Sequence, residues 1–274
     1  IIYASESYAS QAYDYWKEVE DHSWVIGDFI WTAFDYIGEA SIGWCGYPLD
    51  KRIFPWNHAN CGDLNLSGER RPQSYLRETL WSDAPVSHIV VTPPVPSFPL
   101  NPDKADWSVW NFPDVVDHWN FPGYEGKKMT VSVYSNCEQV ELFLNGESLG
   151  KQENTADKKN TLVWEVPYAH GILKAVSYNK GGEVGTATLE SAGKVEKIRL
   201  SADRTEIVAD GNDLSYITLE LVDSKGIRNQ LAEELVAFSI EGDATIEGVG
   251  NANPMSIESF VANSRKTWRG SNLL

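Results

Sequence analysis

Ile1-Ile2-Tyr3-Ala4-Ser5-Glu6-Ser7 and Gly27-Asp28-Phe29-Ile30-Trp31-Thr32-Ala33-Phe34-Asp35-Tyr36-Ile37-Gly38-Glu39 are the stretches on which the reading of this chain turns. Each opens with a short apolar, β-prone run and ends in a carboxylate or an aromatic ring. The interval between them has room for a loop and a helix. That is the rhythm of consecutive βα units, in which chemistry sits where the strands end. The sequence opens directly on such a strand, so the reading expects a preceding portion of the same fold upstream of Ile1.

Composition narrows the function classes. The 274 residues carry a formal net charge of −16, with a pI near 4.7. That balance argues against nucleic acid or an anionic membrane as partner. No apolar run is long enough to cross a bilayer. No secretory signal opens the sequence, which is uninformative if residues precede Ile1. Cys45, Cys61 and Cys137 lack metal-ligand spacing and form no CxxC pair, so they read as idle or buried thiols, with a Cys45–Cys61 disulfide left open. The histidines are scattered, and the reading expects no metal site and no cofactor.

Tryptophan is the compositional signal. Nine of the eleven lie in the first 120 residues, alongside acidic loops. Aromatic rings stack on the apolar C–H faces of sugars, and they also fill cores. The density tilts the set toward carbohydrate.

Three regions follow along the chain. Residues 1–92 read as mixed α/β, with a helix at Gln11–Glu20 capped by Ser10, a buried parallel strand at Trp24–Thr32 and a helix at Pro72–Leu80. A linker over residues 93–103 holds Pro93, Pro94, Pro96, Pro99 and Pro102, which favour an extended spacer. Residues 104–192 then alternate with period two. Strands are expected at Lys128–Ser135, Gln139–Leu144, Glu147–Gly150 and Ile172–Asn179, with Asn145-Gly146 and Lys180-Gly181-Gly182 as tight turns. Residues 193–274 repeat the theme at Val195–Ser201, Ser215–Val222, Val236–Glu241 and Thr245–Gly248. Both β regions read as antiparallel sandwiches, the second of immunoglobulin type and lacking its last strands.

The Ser5-Glu6-Ser7 strand end, the Trp31–Glu39 segment and Gly62-Asp-Leu-Asn-Leu-Ser-Gly-Glu-Arg-Arg-Pro-Gln-Ser-Tyr75 together resemble the C-terminal part of a glycoside hydrolase family 2 β-galactosidase barrel. Val131–Gly146 resembles the β-sandwich that follows the barrel in bacterial members, and Lys194–Leu274 the immunoglobulin-like domain after it. The resemblance implies a partial (β/α)8 barrel end followed by two immunoglobulin-like antiparallel β-sandwich domains. It also implies a retaining, exo-acting hydrolase of terminal β-galactosides in which Glu6 is the nucleophile. Trp31 becomes the stacking floor of the sugar subsite. Asp35 and Glu39 become polar walls or loop anchors, and His58 and Asn60 further substrate contacts.

A retaining glycosidase needs a second carboxyl about 5–5.5 Å from the nucleophile to protonate the leaving oxygen. In the family this is the Glu of an Asn-Glu pair on an earlier strand, and the sequence holds no such dipeptide. The expected partners are therefore a β-galactoside carbohydrate and the N-terminal remainder of the same enzyme, with the present residues inactive alone. An assisting metal in that remainder and homo-oligomerisation stay open, and the resemblance suggests a periplasmic or secreted bacterial protein. Parent enzymes of β-glucuronidase or β-mannosidase type share the barrel; Asp35 and Glu39, with Lys51 and Arg52 as the nearest bases, favour a neutral sugar. The competing reading is a carbohydrate-binding or spacer module, with Trp107, Trp110, Trp119 and Tyr124 as an aromatic platform.

Overall fold

The computed structural model describes residues 1–40, 42–43, 54–98 and 110–274. Trp44, Cys45, Lys51, Arg52 and Trp107 lie outside the described residues, as does the second half of the proline-rich stretch. The chain forms two compact units, residues 1–191 and residues 192–274.

The first unit begins with β1 (Ile2–Ser7), a 3-10 turn at Ala9–Gln11, α1 (Ala12–Asp21) and β2 (Val25–Ile30). The 3-10 turn places Gln11 at the helix cap, so Ser10 lies outside it. β1 and β2 pair in parallel, with Ile2 opposite Val25 and Ser7 opposite Ile30. Parallel strands are ordinarily covered on both faces. Here Ile2, Tyr3, Ile26 and Phe29 are 58–64% exposed, so the strand faces expected to be buried stand open. These residues supply one parallel pair and its crossover helix.

Two short strands, β3 (Tyr36–Ile37) and β4 (His58–Ala59), pair antiparallel and fold the loop after β2 back on itself. α2 (Pro72–Trp81) follows, with Pro72 in its first turn, where a fixed φ is pre-organised and no N–H is missed.

β5 (Ser87–Val91) pairs with β6 (Lys128–Ser135) and not with the parallel strands. The sandwich therefore reaches back to residue 87, on the other side of the prolines that suggested its boundary. β9 (Thr161–Pro167) completes one sheet, ordered β5-β6-β9. The other is β11-β10-β7-β8, made of β7 (Gln139–Leu144), β8 (Glu147–Glu153), β10 (Ile172–Asn179) and β11 (Gly182–Glu190). All these pairings are antiparallel. Alternation does the packing: Leu162, Trp164 and Val166 point inward from β9 to meet Val140, Leu142 and Leu173. Asn145 and Gly146 both have positive φ, 52° and 89°, the type I′ geometry that matches strand twist.

In the second unit β12 (Lys197–Ala202), β13 (Ile217–Val222) and β16 (Ser271–Leu273) make one antiparallel sheet, and β14 (Leu235–Ala237) pairs with β15 (Ser264–Lys266). Leu219, Leu221, Ala232 and Val236 form its core. Asp223 closes the turn after β13 by accepting N–H bonds from Lys225 and Ile227 at 2.9 Å and from Gly193 at 2.8 Å. Thr245–Gly248, expected as a strand, is irregular, because no neighbouring strand takes up its backbone.

Candidate active site

Glu6 and Trp31 stand at the same edge of the parallel pair. The Trp31 N–H donates to the Ser7 carbonyl at 3.1 Å, tying the two strand ends together. Glu6 is exposed, and among the described residues its carboxylate has no hydrogen bond or ion pair. Trp31 is half-buried, with the Tyr36 ring set edge-on to it at 6.2 Å.

The loop that follows is held from beneath. Asp35 is 4% exposed; it accepts from the Gly62 N–H at 2.8 Å and pairs with Arg71 at 2.9 Å. Burial lifts its carboxyl above the usual range, against the pull of Arg71. Asp35 is thus engaged in anchoring the loop. The close approach explains Gly62: a Cβ there would press within 3.0 Å on the backbone of Phe34 and Asp35. Glu39 remains exposed and accepts the Tyr36 hydroxyl. Burial, then that bond, push the phenol up to about 12.

His58 is fully buried beside this loop, its Nδ1 3.0 Å from the Asn57 side-chain oxygen. Burial, reinforced by Arg71, pulls its pKa down to about 4. Asn60 is half-buried and held through its N–H, which donates to the Ile42 carbonyl at 3.0 Å. Cys61 is a buried free thiol pushed up to about 12, chiefly by burial and then by Asp35. The fold thus gathers Trp31, Asp35, Glu39, His58 and Asn60 on one loop system beside the strand end that bears Glu6. Among the described residues, no group of three His, Cys, Asp or Glu converges to hold a metal.

Two residues of α2 hold this strand end and loop. Arg77, 1% exposed, pairs with Asp63 at 3.0 Å and donates to the Ser7 Oγ at 3.3 Å, directly beside Glu6. Gln73 donates to the Gly62 carbonyl at 2.6 Å. Gln73 lies within the Gly62–Tyr75 segment that carries the resemblance, whereas Arg77 shows only polarity four residues further along the helix, which reads equally well as a solvated face.

The aromatic residues of the competing reading are mostly engaged in packing. Trp119 is fully buried in the sandwich core, where its N–H donates to the Ala169 carbonyl at 2.8 Å. Tyr124 packs against the same core, and Trp110 lies edge-on to Tyr8 at 5.4 Å.

The fully buried His58 and the half-buried His88 make the first unit sensitive to acid. Burial lowers His88 to about 4 as well. Unfolded histidines titrate near pH 6.5, so the unfolded chain takes up more protons as the pH falls below that value. The stabilisation is full above about pH 6.5 and is lost progressively toward pH 4. At pH 5 the loss reaches about 2 kcal/mol for a fully buried ring. Calorimetry should find the transition of residues 1–191 at lower temperature at pH 5 than at pH 7.5, with His88→Phe flattening its share of the slope. An unchanged midpoint would contradict the assignment of neutral buried rings.

Residues 198–274 match the glycoside hydrolase family 2 C-terminal domain 5, and residues 126–185 match a domain of unknown function, DUF4982. The chain is 32% identical over 259 residues to the β-galactosidase BoGH2A of Bacteroides ovatus, covering 94% of this chain and 26% of that protein. It is 29% identical over 243 residues to a putative β-glucuronidase of Formosa agariphila, covering 88% of this chain and 20% of the relative. A crystal structure of a glycosyl hydrolase family 2 member from Bacteroides cellulosilyticus is 99% identical with a TM-score of 0.97, covering all of this chain and 35% of that one. The chain thus spans about a quarter and a fifth of the length of these two relatives and about a third of that crystallised protein. Its folded units and its relatives agree: the chain carries C-terminal domains of glycoside hydrolase family 2.

Proposed function

We propose that the residues up to α2 are the closing part of a (β/α)8 barrel and that Glu6 is the nucleophile of a retaining, exo-acting β-galactosidase. The observation that carries this reading is the pairing of Glu6 and Trp31 at the C-terminal ends of adjacent parallel strands whose apolar faces lie open. A barrel needs eight such units, so the remaining strands and the acid/base carboxyl belong to a preceding stretch of the same polypeptide. In the assembled enzyme the Glu6 carboxylate attacks the anomeric carbon while the second carboxyl protonates the departing oxygen. Water then releases the sugar from Glu6. Trp31 supplies an apolar face for the ring, the exposed Glu39 and the half-buried Asn60 offer polar contacts, and the fully buried His58 acts from within the loop. Asp35 acts through the loop that it anchors.

Among the described residues of the loop, Glu39 is exposed and Arg71 is already neutralised by Asp35, an acidic lining that would oppose a glucuronide carboxylate. This charge pattern supports a neutral sugar. The full-length enzyme should therefore hydrolyse 4-nitrophenyl β-D-galactoside with a kcat/KM at least about tenfold above that for the glucuronide, one unfavourable charge contact being worth that much or more. A preference for the glucuronide would overturn the galactosidase assignment.

A further inference from the structure

α2 is polar on two opposite faces, and each face grips a different part of the first unit. Successive helical residues turn by about 100°, so Gln73 and Arg77 share one side while Tyr75 and Thr79 share the other. The first side holds the Gly62 carbonyl, Asp63 and Ser7. The second side meets the sandwich. Tyr75 stacks on His88 of β5 with ring centroids 3.5 Å apart and planes 5° from parallel. The Asn160 side chain donates to the Thr79 hydroxyl at 3.0 Å, a contact shielded from water because Thr79 is 4% exposed.

The sandwich loops are shaped to make these contacts. Asn160 sits in the left-handed region with φ 58°, in the turn before β9. Asn154 pins that turn by donating to the Ser135 and Cys137 carbonyls at 2.9 and 3.0 Å. Asn136 seals the end of α2, donating to the Ser82 and Ala84 carbonyls and accepting the Val86 N–H. A ten-residue helix of this composition is marginal in isolation. Its position is fixed by what lies on either side.

We propose that the sandwich of unknown function is a buttress for the nucleophile: it clamps α2 through Asn160 and Thr79, and Arg77 on the far side of the helix fixes Ser7 and hence Glu6. Asn160 and Thr79 are then positioning residues that act on the chemistry through the helix. The proposal rests on Glu6 being the nucleophile. Displacement of a reacting group by about 1 Å costs on the order of 10²-fold in rate.

The test uses the full-length protein with Asn160→Gly, which keeps the positive φ, and Thr79→Val, which keeps the side-chain shape. Covalent trapping with 2-deoxy-2-fluoro-β-D-galactosyl fluoride is followed together with amide exchange. Each variant should lower the maximal trapping rate by about tenfold or more, with the half-saturating concentration unchanged within about twofold. Exchange at residues 5–8 should quicken while β7 and β10 keep their protection. Lys159→Ala, on the same turn but paired with Asp14 of α1, should trap at the wild-type rate. Wild-type trapping and exchange in both variants would overturn the buttress. A wild-type protein that is not labelled at Glu6 would instead refute the nucleophile reading, and the exchange data would still decide whether the sandwich holds the strand.

Discussion

Replacing Glu6 by Gln in the full-length enzyme should cut turnover of aryl β-galactosides by about 10³-fold or more, with the folded state unchanged. Gln matches Glu in shape and carries no charge, so it cannot attack the anomeric carbon as a carboxylate does. Loss of a nucleophile typically removes most of the catalysed rate. Stability should be spared because Glu6 is exposed and has no partner among the described residues. The comparison is a kcat measurement paired with a thermal melt. A variant that retains more than about a tenth of the wild-type kcat would give Glu6 the blander role of a solvated strand-end residue.

Arg77→Met should produce the largest loss of stability. The guanidinium is 1% exposed and pairs with an Asp63 carboxylate that is itself largely buried. Removing one member of a buried pair leaves the other charge without compensation, which costs about 3–5 kcal/mol. For a unit of this size that shifts the melting midpoint by roughly 10 °C. In calorimetry of the full-length protein the transition that includes residues 1–191 should move while that of residues 192–274 stays in place. Asp63→Asn combined with Arg77→Met should cost clearly less than the sum of the single changes, because the two groups act as one unit. A loss below about 1 kcal/mol would show that the pair is solvated in solution.

How much of this was legible beforehand depends on whether the signal is local. β6, β7 and β10 begin and end where strict alternation and the Asn145-Gly146 and Lys180-Gly181 turns place them. β5 was not legible as part of the sandwich: Ser87–Val91 offers only a three-residue apolar run, Ile89–Val91, and its pairing with β6 alone reveals its sheet. Thr245–Gly248 shows the converse, a strand-like sequence with no partner to make it a strand.

The site divides in the same way. The strand-end positions of Glu6 and Trp31 were readable in the two apolar runs, whereas the roles proposed for them come from the family resemblance. Arg77 was not, since its bond to Ser7 spans 70 residues of sequence and α2 lacks the apolar stripe that would mark its buried faces. The anchoring role of Asp35 likewise depends on Gly62 and Arg71, which the fold alone brings to it. His58 drew notice as a polar residue in an aromatic loop. Its complete burial, and the neutral state that follows, come from packing that no local pattern encodes.

The most direct test of the central claim is to inactivate the full-length protein with 2-deoxy-2-fluoro-β-D-galactosyl fluoride, digest it, and locate the label by mass spectrometry. The fluorine slows release of the glycosyl-enzyme, so the nucleophile stays marked. The account predicts a single fluorogalactosyl group on Glu6 and no labelling of Glu6→Gln. A label on any other carboxylate, or equal labelling of the variant, would contradict it.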